Sequence, residues 1–428
     1  MKSEFLRNEI ARLRKSSLAR STGWMLAGQG LSFSLQAGYF VLLARLLGAG
    51  QFGIFSGATA LVGIVLPYSA LGSGTLFMRY VSQDKEQLSV YWGNIILSTV
   101  VIGTVLTILL HLLAPHVLDP ASASIIIPIA ISNCILGQLV LCVSQAFQTF
   151  DLMRTSALLN LLTNFMRMVA AAAALFMFTQ ATALQWALLS LLVSSLAVIS
   201  GVALFSYKFT KPRFDLRLFR SRASEGFNFS MGGSAQSIYN DIDKTLLSHF
   251  GLTVQNGIYT LAYRVVDIST MPITALDVAA LPRYFRQSSE NLASVPALSL
   301  RLAKRAALLG LGMSICMFVA APLVPHLVGH EFSASVGALR WLCLIPAFRG
   351  AHQLTGTAIT GMGYQRFRTI FQFTAAFFNL GLNLWLIPAH GWLGAAWASL
   401  ATDGLLAVAN WLIIRTLSAH LTAKSIPA

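Results

Sequence analysis

Apolar residues gather into twelve runs along the chain, at 22–46, 53–78, 91–113, 124–147, 156–178, 184–207, 226–250, 256–280, 305–328, 336–358, 368–388 and 392–415. Each is close to the ~20 residues that an α-helix needs to cross a hydrocarbon layer of about 30 Å. The pattern predicts an all-α chain of twelve transmembrane helices, and no connection is long enough to hold a separate soluble domain. One run is cut by a polar stripe. Ser230, Ser234, Ser237, Asp241, Lys244 and Ser248 follow a 4-3-4-3-4 spacing, which at 3.6 residues per turn draws one narrow line along the seventh helix. On a soluble helix such a line faces water. On a membrane helix it must face a bundle interior or a hydrated cavity, because lipid does not solvate it.

Composition decides between the two. Of 428 residues, 56% are apolar and 11% charged, and the mean hydropathy is +0.68; soluble domains carry roughly 25% charged residues. This is the composition of an integral membrane protein. A net charge of +15 would point to nucleic acid in a soluble protein. Here 24 of the 30 Lys and Arg fall in the N-terminal tail, the 208–222 linker and loops on the same side, while the opposite loops near 47–52, 114–123, 179–183, 251–255, 329–335 and 389–391 hold none. The charge therefore serves topology or lipid headgroups, both termini are expected in the cytoplasm, and no nucleic-acid partner is implied. Cys134, Cys142, Cys316 and Cys343 all lie in apolar runs and read as small hydrophobes, without metal spacing and without a cofactor. The basic stretch Arg7–Arg20 precedes a run long enough to span the bilayer, so no signal peptide is expected.

The chain also echoes itself. Gln51-Phe52-Gly53-Ile54-Phe55 resembles Gln255-Asn256-Gly257-Ile258-Tyr259 at an offset of 204, and Arg79-Tyr80 resembles Arg283-Tyr284 at the same offset. Gly23 and Gly48 find Gly226 and Gly251 at 203. Two six-helix halves of like orientation follow: a tail over 1–21, lobes over 22–207 and 226–415, a basic linker over 208–225 and a second tail over 416–428. Parallel repeats of this kind place a substrate path between them in transporters.

Charges inside the runs are the candidate chemistry, since each costs roughly 2.5–3.5 kcal/mol at the bilayer centre on insertion scales. The bases are Arg45, Arg167, Lys244, Arg264, Arg340 and Arg349; the acids are Asp241, Asp243, Asp267, Asp277 and Asp403. In the hairpin of the seventh and eighth helices, Asp241 with Arg264, or Lys244 with Asp267, is the expected ion pair, with Asp243 turned toward a neighbouring helix. Asn160, Asn164 and Arg167 share one face of the fifth helix, and Gln29, Ser32 and Gln36 lie along the first. Arg45 either snorkels to the interface or joins the path. Six bases against five acids give a balanced or slightly cationic interior. Such an interior suits a phosphate or pyrophosphate, which Arg grips through paired N–H donors.

Ala44-Arg45-Leu46-Leu47-Gly48 followed by Phe52-Gly53 resembles the first-helix motif of Wzx-type polysaccharide flippases, as does Leu71-Gly72 followed by Arg79. Asp243, Gly251, Gly257-Ile258-Tyr259 and Ala262-Tyr263-Arg264 look like their seventh and eighth helices, and Gly391-Trp392-Leu393-Gly394-Ala395-Ala396-Trp397 like the opening of their last. These flippases share a superfamily with MATE drug exporters and lipid II flippases; twelve spans disfavour the fourteen-span lipid II type. The resemblance implies a MATE-like fold, alternating access and a cationic central cavity in the bacterial inner membrane. The implied cargo is an oligosaccharide on undecaprenyl pyrophosphate, for lipopolysaccharide O antigen or exopolysaccharide. Arg264, Arg349, Arg167 and Lys244 would then meet pyrophosphate or acidic sugar, with Arg340 and Arg45 as further bases. Ser234, Ser237 and Asn164 would meet hydroxyls, and Asp241 or Asp267, with Asp243, would carry proton coupling. Implied partners are the lipid-linked oligosaccharide, membrane lipids and polysaccharide polymerase machinery, around a functional monomer. Two alternatives differ in class. A MATE-type cation exporter wants an acidic, aromatic cavity. A membrane polymerase or ligase wants a large outer loop, where this chain has about ten residues with His116, Asp119, His326, His330 and Glu331 in or beside them.

Overall fold

The computed structural model describes residues 2–424, and the side chains of residues 2–27, of Gln29 and of residues 420–424 lie outside the described residues. The basic N-terminal side chains and Gln29, invoked above, are therefore not described. The described residues form helices and no strand. In chain order these are α1 (Lys2–Val65), α2 (Ser73–Val81), α3 (Leu88–Val117), α4 (Pro120–Ser124), α5 (Ile126–Ala130), α6 (Gln138–Thr149), α7 (Met153–Met177), α8 (Ala183–Lys208), α9 (Leu216–His249), α10 (Thr253–Glu290), α11 (Val295–Ala320), α12 (Val324–Val328), α13 (Ser335–Leu342), α14 (Ile345–Gly361), α15 (Gln365–His390) and α16 (Trp392–Lys424). The segment read as an N-terminal tail is helical from Lys2; it has no Gly or Pro before Gly23 and is rich in helix-forming Leu, Arg, Lys, Glu and Ala.

Among the described residues, nine helical stretches are long and apolar enough to cross a membrane. The apolar runs lead one to expect twelve. Gly30–Val81 carries two of those runs in one stretch. The run at 226–250 lies on α9, whose Asp241, Asp243 and Lys244 lower its apolarity. The run at 336–358 is divided between α13 and the 17-residue α14.

The chain divides into two compact units: Met1–Leu46, Val65–Ala114 and Ser124–Met231 form the first, and Leu47–Ile64, Pro115–Ala123 and Gly232–Ala428 the second. The core of the first unit is an aromatic cluster. Phe205 packs against Trp92 at 4.4 Å between ring centres, against Phe209 at 4.8 Å and against Phe147 at 5.2 Å. Phe77, Trp92, Phe147 and Phe205 are fully buried there.

The second unit contains several close backbone approaches. α1 breaks at Gly48, with φ 66° and ψ 171°, and its repeat mate Gly251 also has a positive φ of 70°. Beyond the break, Gly53 and its mate Gly257 face each other's helices. A Cβ added to Gly53 would lie 1.7 Å from the Thr253 carbonyl oxygen, and one added to Gly257 would lie 2.1 Å from that of Ala49. Each glycine thus sits on the carbonyl four residues before the other. The sequence echo here is a packing device in which two related segments press backbone on backbone. The same reciprocity joins α11 and α14: Gly310 lies against the Pro346 carbonyl and Gly350 against that of Ala306. Small residues permit such approach in membrane helices, where dispersion and weak Cα–H···O contacts replace the hydrophobic drive.

Candidate functional site: a buried ion network and a neutral polar cavity

α9 and α10 form a hairpin whose polar positions converge within the second unit. Lys244 is buried although it is charged. Its ammonium lies 3.3 Å from Asp241 and 3.4 Å from Asp243, also donates to the Asn240 carbonyl, and sits 4.4 Å from the centre of the Tyr263 ring. Two carboxylates, a carbonyl and a π-face replace the water that a buried ammonium loses. Asp243, wholly buried, accepts from Tyr259 at 2.5 Å and from Ser399 at 3.3 Å.

Arg349 on α14 gathers the second half of the network. Its guanidinium lies 3.3 Å from Asp267 and 3.9 Å from Asp403, and it donates to the Tyr263 hydroxyl at 3.0 Å and to Asn240 Oδ1 at 3.4 Å. Asp403 also meets His352 Nε2 at 3.1 Å. Arg264 pairs with Asp267 at 3.4 Å. Tyr263 joins both halves, with Lys244 over its ring and Arg349 at its hydroxyl. Exposure sorts these groups. Lys244 and Arg349 keep 5% and 8% of their side chains exposed, whereas Asp241, Arg264 and Asp267 keep 26%, 33% and 35%. Lys244 and Arg349 form the buried centre of the network, and Asp241, Arg264 and Asp267 are its partly exposed members.

The first unit holds polar groups of another kind. Asn160 donates to Ser144 at 3.1 Å, Ser144 and Ser156 lie 2.6 Å apart, and Gln148 donates to Ser156 at 3.0 Å. Asn164 donates to Ser32. Ser32, Gln148, Ser156, Asn160 and Asn164 line a cavity of about 270 Å³, with Phe33 and Met153, and no charged side chain lines it among the described residues. Arg167, one turn further along α7, reaches Ser194 at 3.3 Å, and Ser194 lies 3.1 Å from Ser132.

Several expectations need correction. The ion pairs form within each helix at i,i+3, Lys244 with Asp241 and Arg264 with Asp267, rather than as Asp241–Arg264 and Lys244–Asp267 salt bridges. Neighbours on one helix are held within reach by its pitch, whereas pairing across a hairpin depends on how each helix is rotated. Of the two surroundings expected for the polar stripe of α9, the structure shows largely the bundle interior: Ser234, Lys244 and Ser248 are buried, Ser237 is half-buried, and Ser248 donates to Asp119 at 2.6 Å. Arg45 and Arg340 are exposed, and Arg340 lies over the Phe318 ring at 5.2 Å; neither joins the network. With those two outside it, the cluster holds Lys244, Arg264 and Arg349 against Asp241, Asp243, Asp267 and Asp403, so of the balanced or slightly cationic interior expected it shows near balance, with one carboxylate more than Lys and Arg.

His352, Tyr259 and Tyr263 escape sequence reasoning as site residues, because none bears a permanent charge and their partners are remote in sequence. Asp403 could be found as an intramembrane acid, but no spacing names its partner. The short loops also use their acids structurally. Asp119 Oδ1 accepts from the backbone of Ala121 and Ser122 at 3.0 and 3.1 Å, capping α4. Glu331 accepts from the Ala49 N–H at 3.1 Å, just beyond the Gly48 break.

The fold is that of membrane transporters of the MATE type. The structure is similar to an inward-facing multidrug resistance MATE family transporter of the MOP superfamily (TM-score 0.75, 17% identity, 92% of this chain and 96% of the other). It is also similar to an outward-facing one (TM-score 0.65, 17% identity, 96% and 97%). A third similar structure is a MOP superfamily transporter from Pyrococcus furiosus described as having a binding pocket of reversed polarity (TM-score 0.63, 17% identity, 95% and 96%). An uncharacterized membrane protein of Methanocaldococcus jannaschii is 22% identical over 411 residues, covering 90% of this chain and 95% of its own. Residues 18–288 match the model of the polysaccharide biosynthesis protein family, and the chain belongs to that family.

Proposed function

We propose that the protein moves an oligosaccharide on an undecaprenyl-pyrophosphate-type carrier from the cytoplasmic to the periplasmic leaflet of the bacterial inner membrane, by alternating exposure of its site to the two faces. Membership of the polysaccharide biosynthesis family points to a sugar cargo. The observation that carries the reading is the cavity lined by Gln148, Ser156, Asn160, Asn164 and Ser32 together with Phe33 and Met153, without a charged side chain among the described residues. Amides and hydroxyls at membrane depth are costly to keep and match the hydroxyls of a sugar better than the apolar face of a drug. Arg264, one-third exposed beside Asp267, supplies the cation for the diphosphate. Asp241 and Asp267, the open acids, take up and release the coupling proton. Both termini lie in the cytoplasm on this reading.

A MATE-type cation antiporter is the second reading, and the extra carboxylate around Lys244 and Arg349 favours it. Reconstitution separates the two. Proteoliposomes holding the lipid-linked oligosaccharide should expose its sugar to an added enzyme at the far leaflet, faster under an imposed pH gradient. Ethidium extrusion without sugar exposure would establish the antiporter instead.

A further inference from the structure

A second polar cavity, of about 160 Å³, lies within the second unit. Tyr239, Asp277, His352, Gln353, Arg368 and Gln372 give its walls their character. It is separate from the open Arg264–Asp267 pair: Asp277 follows Asp267 by ten residues, about 15 Å along a helix at 1.5 Å per residue, with Pro272 between them. His352 is the bridge, since it lines this cavity and bonds Asp403 of the ion network.

Two atoms in the wall ask for a ligand. Asp277 Oδ1 and Gln353 Oε1 are buried atoms without a hydrogen-bond partner of their own, although the Thr357 hydroxyl lies beside the Asp277 carboxyl. Both are acceptors, so what completes them must be a donor. Arg368 is anchored on Thr360 at 2.9 Å and adds a cation on the same wall. Gln372 adds an amide that both donates and accepts, and Tyr239 adds an aromatic ring. A bare metal ion is a poor match, because no group of three His, Cys, Asp or Glu among the described residues is placed to hold one. A free phosphate is a poor match too, because its oxygens would face the Asp277 carboxylate. Hydroxyl or amide N–H donors on a compact ring satisfy both orphan acceptors and leave ring oxygens for Arg368.

We propose that this cavity binds one pyranose ring of the carried sugar, through hydroxyl or acetamido donors to Asp277 Oδ1 and Gln353 Oε1. The proposal rests on the flippase reading and adds to it a sugar-specific subsite in the second unit, distinct from both the diphosphate contact and the neutral cavity of the first unit.

The test is ligand-observed saturation-transfer NMR on the full chain in lipid nanodiscs. The probes are methyl β-glucopyranoside, methyl N-acetyl-β-glucosaminide and methyl β-glucuronide. At least one should receive transfer, and Asp277→Leu should weaken its binding tenfold or more. Gln353→Leu, which removes no charge, should do the same and keeps the test decisive if the Asp277 variant fails to fold. Glycoside binding lost in these variants, in a protein that moves no lipid-linked sugar, would sustain the site and remove the transport reading. Lipid-linked sugar moved while no glycoside responds would overturn the site. So would a glycoside response that survives both substitutions. A sodium-dependent rise in melting temperature that needs Asp277, without any glycoside response, would overturn it in favour of a cation site.

Discussion

The two units solve the same problem, polar groups at membrane depth, by different means. The first joins neutral groups: Asn160, Ser144, Ser156 and Gln148 in one chain, and Asn164 with Ser32, while the base Arg167 rests on Ser194. The second packs three bases and four carboxylates around Tyr263. Interhelical neutral hydrogen bonds in membranes contribute about 0.6–2 kcal/mol each. A buried ion left without its partner costs about 3–5 kcal/mol. The difference teaches where tolerance lies. The first unit can lose a partner and let another hydroxyl or water take its place, whereas the second cannot lose a buried base without stranding carboxylates.

The comparison is broken most readily at Arg349. Arg349→Met takes from the buried Asp403 its only Arg or Lys partner among the described residues, while Asp267 keeps Arg264, and should cost about 3 kcal/mol, read as a marked fall in the melting temperature of the purified protein. Arg167→Met in the first unit should cost about 1 kcal/mol. Equal losses would mean that the network is not what holds the second unit.

Backbone packing offers the next largest contrast. Gly53→Ala drives a methyl into the Thr253 carbonyl and should cost about 1–3 kcal/mol as overpacking. Gly201→Ala in the first unit meets Leu159 at 3.4 Å, an ordinary contact, and should be neutral or gain up to about 1 kcal/mol in helix propensity. Thermal unfolding of the two single variants checks the pair.

A double-mutant cycle sharpens the picture further. Lys244→Met should be destabilising alone and partly relieved by Asp243→Asn, with a coupling of about 0.5–3 kcal/mol. A coupling of zero would show that Lys244 and Asp243 are held by other partners. The smallest effect belongs to Asn164→Ala, about 0.6 kcal/mol for its bond to Ser32, with sugar transport reduced more than stability.

Much of this was legible in the residues, and the boundary of legibility has a physical cause. Apolar run length and helical period are local properties, so the all-helical membrane fold and the clustering of Asp241, Lys244, Arg264 and Asp267 on one hairpin could be read directly. The repeat could be read as well, although its meaning, Gly53 and Gly257 each seated on the other segment's carbonyl, required the packing. Which charges face inward is a different matter. Arg45 and Arg340 lie in apolar runs like Arg349 does, yet they are exposed, because depth within a bundle depends on helix rotation and not on composition. Asp403 meets Arg349 and His352 from another helix, with 51 residues separating it from His352, and nothing in its spacing names either partner.

The most direct test of the account is transport by Arg264→Ala in proteoliposomes loaded with a diphosphate-linked oligosaccharide. Its partly exposed pair with Asp267 contributes at most about 1 kcal/mol to stability after solvent screening, so the variant should insert and melt like the unaltered protein. The account predicts that sugar exposure at the far leaflet nevertheless falls at least a hundredfold. Exposure at the unaltered rate would contradict it, and would remove the open end of the ion network from any contact with cargo.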